Sequence, residues 1–411
     1  MKSKVLGSML LVAGTTIGAG MLAMPINTAS VGFGVTFIEL FAFFILMLIP
    51  ALCIAEACQF APQGTTVAGL MRRTFGIVGY ASNTILLYVF AYSLASAYIS
   101  AISSILAEIL SVPDAFKKIF TVLCLIPLGL IAVISTKVAD IINQIMFYIM
   151  CLAFVVVITL SVKNINLSYL MTGPVSTQAV VKSLPLFFLT YGFHILVPSL
   201  ADYLDRDTKA LKVALIGGLA IPFVIFTVWN LAVHGQIPQE DLIKYAQSNK
   251  VNIASYLNPE SSTLQIFTTV FSLTALITSF IGLSTALITT LKETFAKDDN
   301  NIDKTSLIHA TDDVKLETSL GRIAIFILAF ALPAVLVTFT PKAFVFFLGF
   351  ASIISTLQAM VMPMAAVIKI RRTNPELYSE KKVYRFMLPG FVIGLIAFAF
   401  LLIAFMADLN L

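Results

Sequence analysis

Residues 13–25 read AGTTIGAGMLAMP. Gly14, Gly18, Gly20, Thr15, Thr16 and Pro25 sit inside a segment that is otherwise apolar enough to lie in lipid. Hydrocarbon leaves no partner for a freed backbone group, so irregular backbone at that depth must face protein or a cavity. The glycines let the chain unwind, and the threonines offer hydroxyls to the groups set free. Gly14 and Gly18 also form a G-x-x-x-G pair, which alone would suit a helix-packing face. A second stretch, SLPLFFLTYGFHILVPSLADYL at 183–204, repeats the interruption. Thr190, Tyr191, Gly192, Phe193 and His194 form its centre, and Pro198 follows six residues after Gly192, as Pro25 follows five after Gly20. Paired interruptions in corresponding halves of a chain point to a transporter site built on repeats. A half-helix starting near Gly18–Gly20 directs free N–H groups and a positive dipole end at a cavity, which suits a carboxylate. Freed carbonyls suit an ammonium group or a small cation. An α-amino acid carries both charges.

The elements that must hold these breaks are membrane spans. The 411 residues are 59% hydrophobic and 11% charged, a balance far from that of a soluble domain. Apolar stretches of span length recur at 4–27, 33–58, 79–109, 118–135, 138–162, 182–204, 211–235, 263–292, 320–338, 342–369 and 386–407. The fold class expected is therefore an all-α polytopic membrane protein of eleven transmembrane helices, with helices one and six broken. The alternating segments of a β-barrel are absent from the sequence. The breaks lie five spans apart, and an odd number of spans per repeat inverts the second copy. One transmembrane domain, 1–411, is expected, with 1–162 as the first repeat, 182–370 as the second and 386–407 as an addition. Lys2 and Lys4 precede the first apolar run, which is longer than a signal-peptide core and is read as an uncleaved span. Segment 239–248 is expected to form a short surface helix.

With the N-terminus inside, 19 lysines and arginines fall on the inner side and 7 on the outer. That asymmetry sets the orientation and puts the C-terminus outside. It also accounts for the net charge of +5 without nucleic acid. Cys53, Cys58, Cys124 and Cys151 fall in apolar spans and read as small buried hydrophobes. Glu39, Glu108 and Asp202 lie a turn or two from span ends and read as solvated at the interface, whereas Glu56 is open to either reading. His194, His234 and His309 lie in span six, at the outer end of span seven and in an inner loop, too dispersed for one catalytic site. With no metalloprotease, hydrolase or P-loop motif, an enzyme is not expected. A channel would show a repeated filter or charge ring, and neither is seen.

Four stretches in order, AGTTIGAGMLAMP (13–25), AYSLASAYISAISSIL (91–106), LTYGFHILVPSL (189–200) and TSFIGLSTAL (278–287), resemble the hydroxy/aromatic amino acid permeases. The likeness is to their tyrosine/tryptophan branch, within the amino acid–polyamine–organocation superfamily, and it covers essentially the whole chain. It implies a LeuT-type 5+5 inverted repeat plus one helix, and import of an aromatic amino acid across the bacterial inner membrane by cation symport. Tyrosine is favoured, with tryptophan and phenylalanine open. The resemblance sets the substrate carboxylate against Thr15, Thr16, Ile17, Gly18, Ala19 and Gly20. It turns the side chain toward Tyr92 (Tyr88 and Tyr98 being alternatives), Tyr191, Gly192, Phe193 and His194, and brings in Ser279 from span eight.

For the coupling ion, Ser284 and Thr285 with the carbonyls of Gly14 and Ile17 resemble the sodium site of sodium-coupled relatives of the fold. Proton-coupled cousins instead place a lysine from span five there. Here Lys137 stands at the inner edge of that span, with Asp140 a turn further in. The proton is the first reading. A sodium symporter and a serine/threonine proton symporter are the alternatives. The expected partners are the substrate, the coupling cation and the lipid bilayer. No cofactor, no nucleic acid and no metal other than that sodium are expected.

Overall fold

A computed structural model describes residues 2–134, 136–248, 251–257, 260–295, 319–340, 343–373 and 384–408. These residues are helical, with no strand among them. In chain order the helices are α1 (Lys2–Thr16), α2 (Ala19–Asn27), α3 (Phe33–Ala57), α4 (Val67–Ile109), α5 (Lys117–Ile134), α6 (Thr136–Val162), α7 (Leu167–Leu170) and α8 (Thr177–Thr190). They continue as α9 (Val197–Tyr203), α10 (Thr208–Gln236), α11 (Gln239–Gln247), α12 (Ser262–Phe295), α13 (Ser319–Phe339), α14 (Ala343–Ser355), α15 (Met362–Thr373) and α16 (Tyr384–Asp408). Among the described residues nine helical segments are long and apolar enough to cross a membrane, and α1 with α2 form a further pair bent by 51°. Helix α16, 25 residues long, occupies the last expected span. Lys250, Lys297, Lys304, His309, Lys315, Lys342, Lys381 and Lys382 lie outside the described residues.

Large apolar side chains such as Leu10, Ile38, Ile77, Leu123, Val155 and Ile327 are exposed around the bundle. Exposed apolar surface on this scale marks a protein whose surroundings are lipid. The interior holds Met24, Leu40, Phe187, Trp229 and Phe271, each at most 2% exposed. Helix α12 packs on α6 and α4, α14 on α4 and α8, and α1 on α10, which also covers α3. The short helix α11 appears where expected, with Leu242 and Tyr245 buried under it.

Three expectations change. The third span begins earlier than 79, because α4 starts at Val67 and continues through a kink at Gly76, where φ is +69°. Only glycine takes that conformation without strain. Cys151 is exposed on α6, although Cys53 and Cys58 are buried as expected. Glu39, read above as interfacial, is 5% exposed.

The end of the bundle that carries the N-terminus is tied together by charge. Lys4 Nζ lies 2.8 Å from Asp205 Oδ2. Arg206 donates to Asp202 Oδ1 at 3.0 Å and to the carbonyls of Cys58 and Ala61, while Asp202 Oδ2 accepts the Gly64 N–H at 2.6 Å. Asp205 and Arg206 hold positive φ, 52° and 59°, in the turn that makes these contacts. Nearby on α15, Arg371 donates to Glu56 Oε1 at 2.9 Å.

Candidate functional site

Helix α1 keeps its ladder up to the Ile17 N–H, which donates to the Ala13 carbonyl at 2.8 Å. The carbonyls that follow, Gly14, Thr15 and Thr16, are those a helix end leaves without ladder partners. Gly18 is extended (φ −149°, ψ −160°), and α2 starts at Ala19. The break expected at Gly18–Gly20 is therefore present. Its two threonines behave differently from the expectation. Their hydroxyls donate back along α1, Thr15 to Leu11 and Thr16 to Val12, rather than to freed groups. Thr16 is buried and Thr15 is exposed.

Helix α12 closes one side of the break. The Ala19 N–H, an orphan donor of the first turn of α2, donates to Ser279 Oγ at 3.2 Å, and that hydroxyl donates to the Ala275 carbonyl at 2.8 Å. A Cβ on Gly18 would stand 2.9 Å from Ser279 Oγ. Glycine is needed here for close approach, because an extended backbone is open to any residue. Helix α8 closes the other side, where a Cβ on Gly20 would stand 2.9 Å from Thr190 Oγ1. The two half-helices thus cross at Gly20 and Thr190.

The second break follows. The Tyr191 N–H reaches the Phe187 carbonyl, the Gly192 N–H reaches that of Leu189, and a single tight turn, His194–Leu196, leads into α9. Tyr191 is fully buried, with its hydroxyl donating to the Leu40 carbonyl at 3.2 Å and its ring edge on Phe226. Phe193 is fully buried and stacks on His194, ring centroids 4.8 Å apart. His194 Nε2 lies 2.9 Å from the Met47 carbonyl, so Nε2 carries the proton, and the buried Nδ1 has no partner among the described residues. Ser355 at the end of α14 donates to the freed Phe188 carbonyl at 3.2 Å.

The structure gathers Ile17, Gly18, Ala19, Gly20, Thr190, Ser279 and the Tyr191–His194 segment around the two breaks. Other expected residues stand elsewhere. Tyr92 donates to the Leu328 carbonyl of α13 at 2.9 Å and stacks on Tyr88. Asp140 and Lys137 are exposed on α6. On α12 the Thr285 hydroxyl donates to the Ile281 carbonyl, while Ser284 is fully buried and its hydroxyl has no partner among the described residues.

A cavity of about 540 Å3 lies beside the half-helices α2 and α8, lined by Ala23 and Asn27 of α2, Lys182 and Leu186 of α8, and Phe344 and Ser352 of α14, without the residues of the breaks themselves. That volume suits a small-molecule site. Sequence reasoning placed a span at 342–369 but named no site residue on α14. Its signal was the hydroxyl cluster Ser352, Ser355, Thr356, which leads into a π-helical turn at Thr356–Val361. Such turns are frequent at functional sites.

The sequence pattern of the tryptophan/tyrosine permease family matches residues 1–407. The chain is 33% identical to tyrosine-specific transport system 1 of Haemophilus influenzae, over 91% of this chain and 90% of that protein. It is 30% identical to tyrosine-specific transport system 2 of the same organism, over 92% and 90% of the two chains. With the tryptophan-specific transport protein of that organism the identity is 27%, over 95% and 93%.

Proposed function

The chain belongs to the tryptophan/tyrosine permease family, and from that premise we propose that it imports aromatic amino acids, tyrosine first among them, by cation symport. The observation that carries this reading is the meeting of two broken helices at Gly18–Gly20 and Tyr191–His194. The substrate carboxylate binds at the first turn of α2, beside Gly18, Ala19 and Ser279. The ammonium group binds the carbonyls that α1 leaves free at Gly14, Thr15 and Thr16. The ring lies toward the cavity, with Tyr191 and Phe193 behind it. Tyr92 takes no part. Tyrosine is favoured because two of the relatives are named tyrosine-specific.

In this proposal the fold is a 5+5 inverted repeat with an eleventh helix, α16, and the protein sits in the bacterial inner membrane. The N-terminus is cytoplasmic, the C-terminus is outside, and the cavity opens outward. The Lys4–Asp205 and Arg206 contacts then close the inner side. The coupling ion is a proton. A sodium ion is the second reading, favoured by the buried, unpartnered hydroxyl of Ser284, since such a group calls for an occupant. Ser284 is five residues past Ser279, about 7.5 Å along α12, and Gly14 is about 6 Å before Gly18 on α1. The ligands would be Ser284, Thr285 and the carbonyls of Gly14 and Ile17.

Counterflow of labelled tyrosine in proteoliposomes tests the substrate class. Excess unlabelled tyrosine, tryptophan or phenylalanine should block it, and serine or threonine should not. Block by serine alone would overturn the aromatic assignment.

A further inference from the structure

Glu39 lies on α3, two turns from the helix start at Phe33, and is 5% exposed. Its Oε1 is 2.6 Å from Ser183 Oγ on α8, and its buried Oε2 has no partner among the described residues. No cation pairs with it among the described residues. An ionised carboxylate in such a place has lost water and gained one hydroxyl, a poor exchange at membrane depth.

The contacts of Ser183 say which form fits. Its Oγ lies 2.6 Å from Glu39 Oε1 and also 2.6 Å from the Val180 carbonyl oxygen. A hydroxyl has one proton to donate. Against an ionised Glu39 both neighbours are acceptors, and only one can be served at that length. Both contacts become hydrogen bonds when Glu39 carries a proton on Oε1 and donates it to Ser183, which donates to Val180.

This pair is tied to the first broken span as well. The Ser183 carbonyl accepts from Asn27 Nδ2 at 2.7 Å, and Asn27 ends α2. Asn27 lines the cavity, as does Lys182 beside Ser183. Glu39 therefore links α3 to the outer halves of both broken spans, through Ser183, whose neighbour Lys182 lines the cavity.

The other titratable groups on the elements packed against α3 are engaged elsewhere or far away. Lys182 of α8 is exposed at the cavity. His234 of α10 has its Nε2 3.1 Å from the Thr28 hydroxyl. His194 is on Met47, about 12 Å further along α3 by helical rise. Arg371 of α15 holds Glu56, about 25 Å along, near Asp202 of α9 at the inner end. The Gly390–Ile403 stretch of α16 is apolar throughout.

We propose that Glu39 binds the coupling proton, taken from water on the outer side, and that its protonation lets α3 and the half-helices α2 and α8 close over the substrate. This rests on the proton-symport reading above. The test compares the unsubstituted protein with Glu39→Gln in proteoliposomes. Glu39→Gln, a permanent mimic of the protonated form, should still exchange tyrosine. It should lose gradient-driven accumulation, the internal-to-external ratio falling to about one, and its exchange should no longer vary with pH. Glu39→Asp should restore part of the accumulation. A Glu39→Gln protein that accumulates tyrosine under a pH gradient overturns the assignment while leaving proton symport intact. An unsubstituted protein indifferent to the pH gradient overturns proton symport and this proposal with it. Infrared spectroscopy of the unsubstituted protein at neutral pH gives a second reading that needs no folded glutamine variant. A protonated-carboxyl band that shifts in Glu39→Asp is expected, and absence of such a band overturns the assignment.

Discussion

Gly18→Ala and Ser279→Ala should couple strongly. A Cβ at position 18 would meet Ser279 Oγ at 2.9 Å, and the next contact, Ser279 Cβ, is 4.0 Å away. The serine hydroxyl is thus the whole obstacle. In Gly18→Ala it must rotate away, and the Ala19 N–H loses its partner. The lost hydrogen bond is worth about 0.5–1.5 kcal/mol. Residual overpacking adds about 1–3 kcal/mol. At about 1.4 kcal/mol per decade, tyrosine binding should weaken roughly tenfold to a thousandfold. Ser279→Ala removes the hydroxyl without adding bulk and should cost only the first term, about twofold to tenfold. The double variant has room for the new methyl and should bind like Ser279→Ala alone. The expected coupling therefore equals the whole Gly18→Ala loss, about 1.5–4.5 kcal/mol, and its lower part falls within the range for residues in contact. Equilibrium binding of labelled tyrosine to the four purified proteins measures it, with thermal denaturation of each as a control for folding. Additive losses in the double variant would refute the close approach of α2 and α12 at this point.

Arg371→Ala should destabilise the protein by about 3–5 kcal/mol, because it strands a largely buried Glu56 carboxylate. Replacing both residues by methionine and leucine should restore most of the loss in thermal denaturation. Asp202→Asn should cost about 1.5–3 kcal/mol by the same measurement, since the carboxylate accepts both the Gly64 N–H and the Arg206 guanidinium. Ser284→Ala should cost no stability in sodium-free buffer, as its hydroxyl has no partner to lose among the described residues. If sodium does bind there, Ser284→Ala combined with Thr285→Ala should abolish a sodium response that the unsubstituted protein shows in uptake.

The breaks were legible because lipid makes them expensive. Glycine beside polar residues within an apolar run has few bland readings in hydrocarbon, and both interruptions appear where the sequence placed them. Ser279 was legible through the family resemblance and meets Ala19. Side-chain direction was not legible. Tyr92 turns toward α13, and nothing in its neighbours' types distinguishes that face from the one toward the breaks. The threonines at 15 and 16 satisfy themselves on their own helix, a local choice open to any mid-helix threonine. Glu39 was misread because its distance from a span end suggested solvent. Its partner is Ser183 of α8, which lies 144 positions away in the chain. Gly76 could not be told from a packing glycine until its φ was seen.

Uptake of labelled tyrosine into proteoliposomes, under a proton gradient and a sodium gradient imposed separately, tests the central claim most directly when run beside Gly18→Leu. A cation crossing about 100 mV contributes about 2.3 kcal/mol, enough for roughly fifty-fold accumulation at about 1.4 kcal/mol per decade. The unsubstituted protein should accumulate tyrosine under the proton gradient alone and lose it when a protonophore is added. Gly18→Leu, inserted in the membrane but filled at the break, should accumulate none. Equal accumulation by the two proteins, or no tyrosine accumulation under either gradient, would contradict the account.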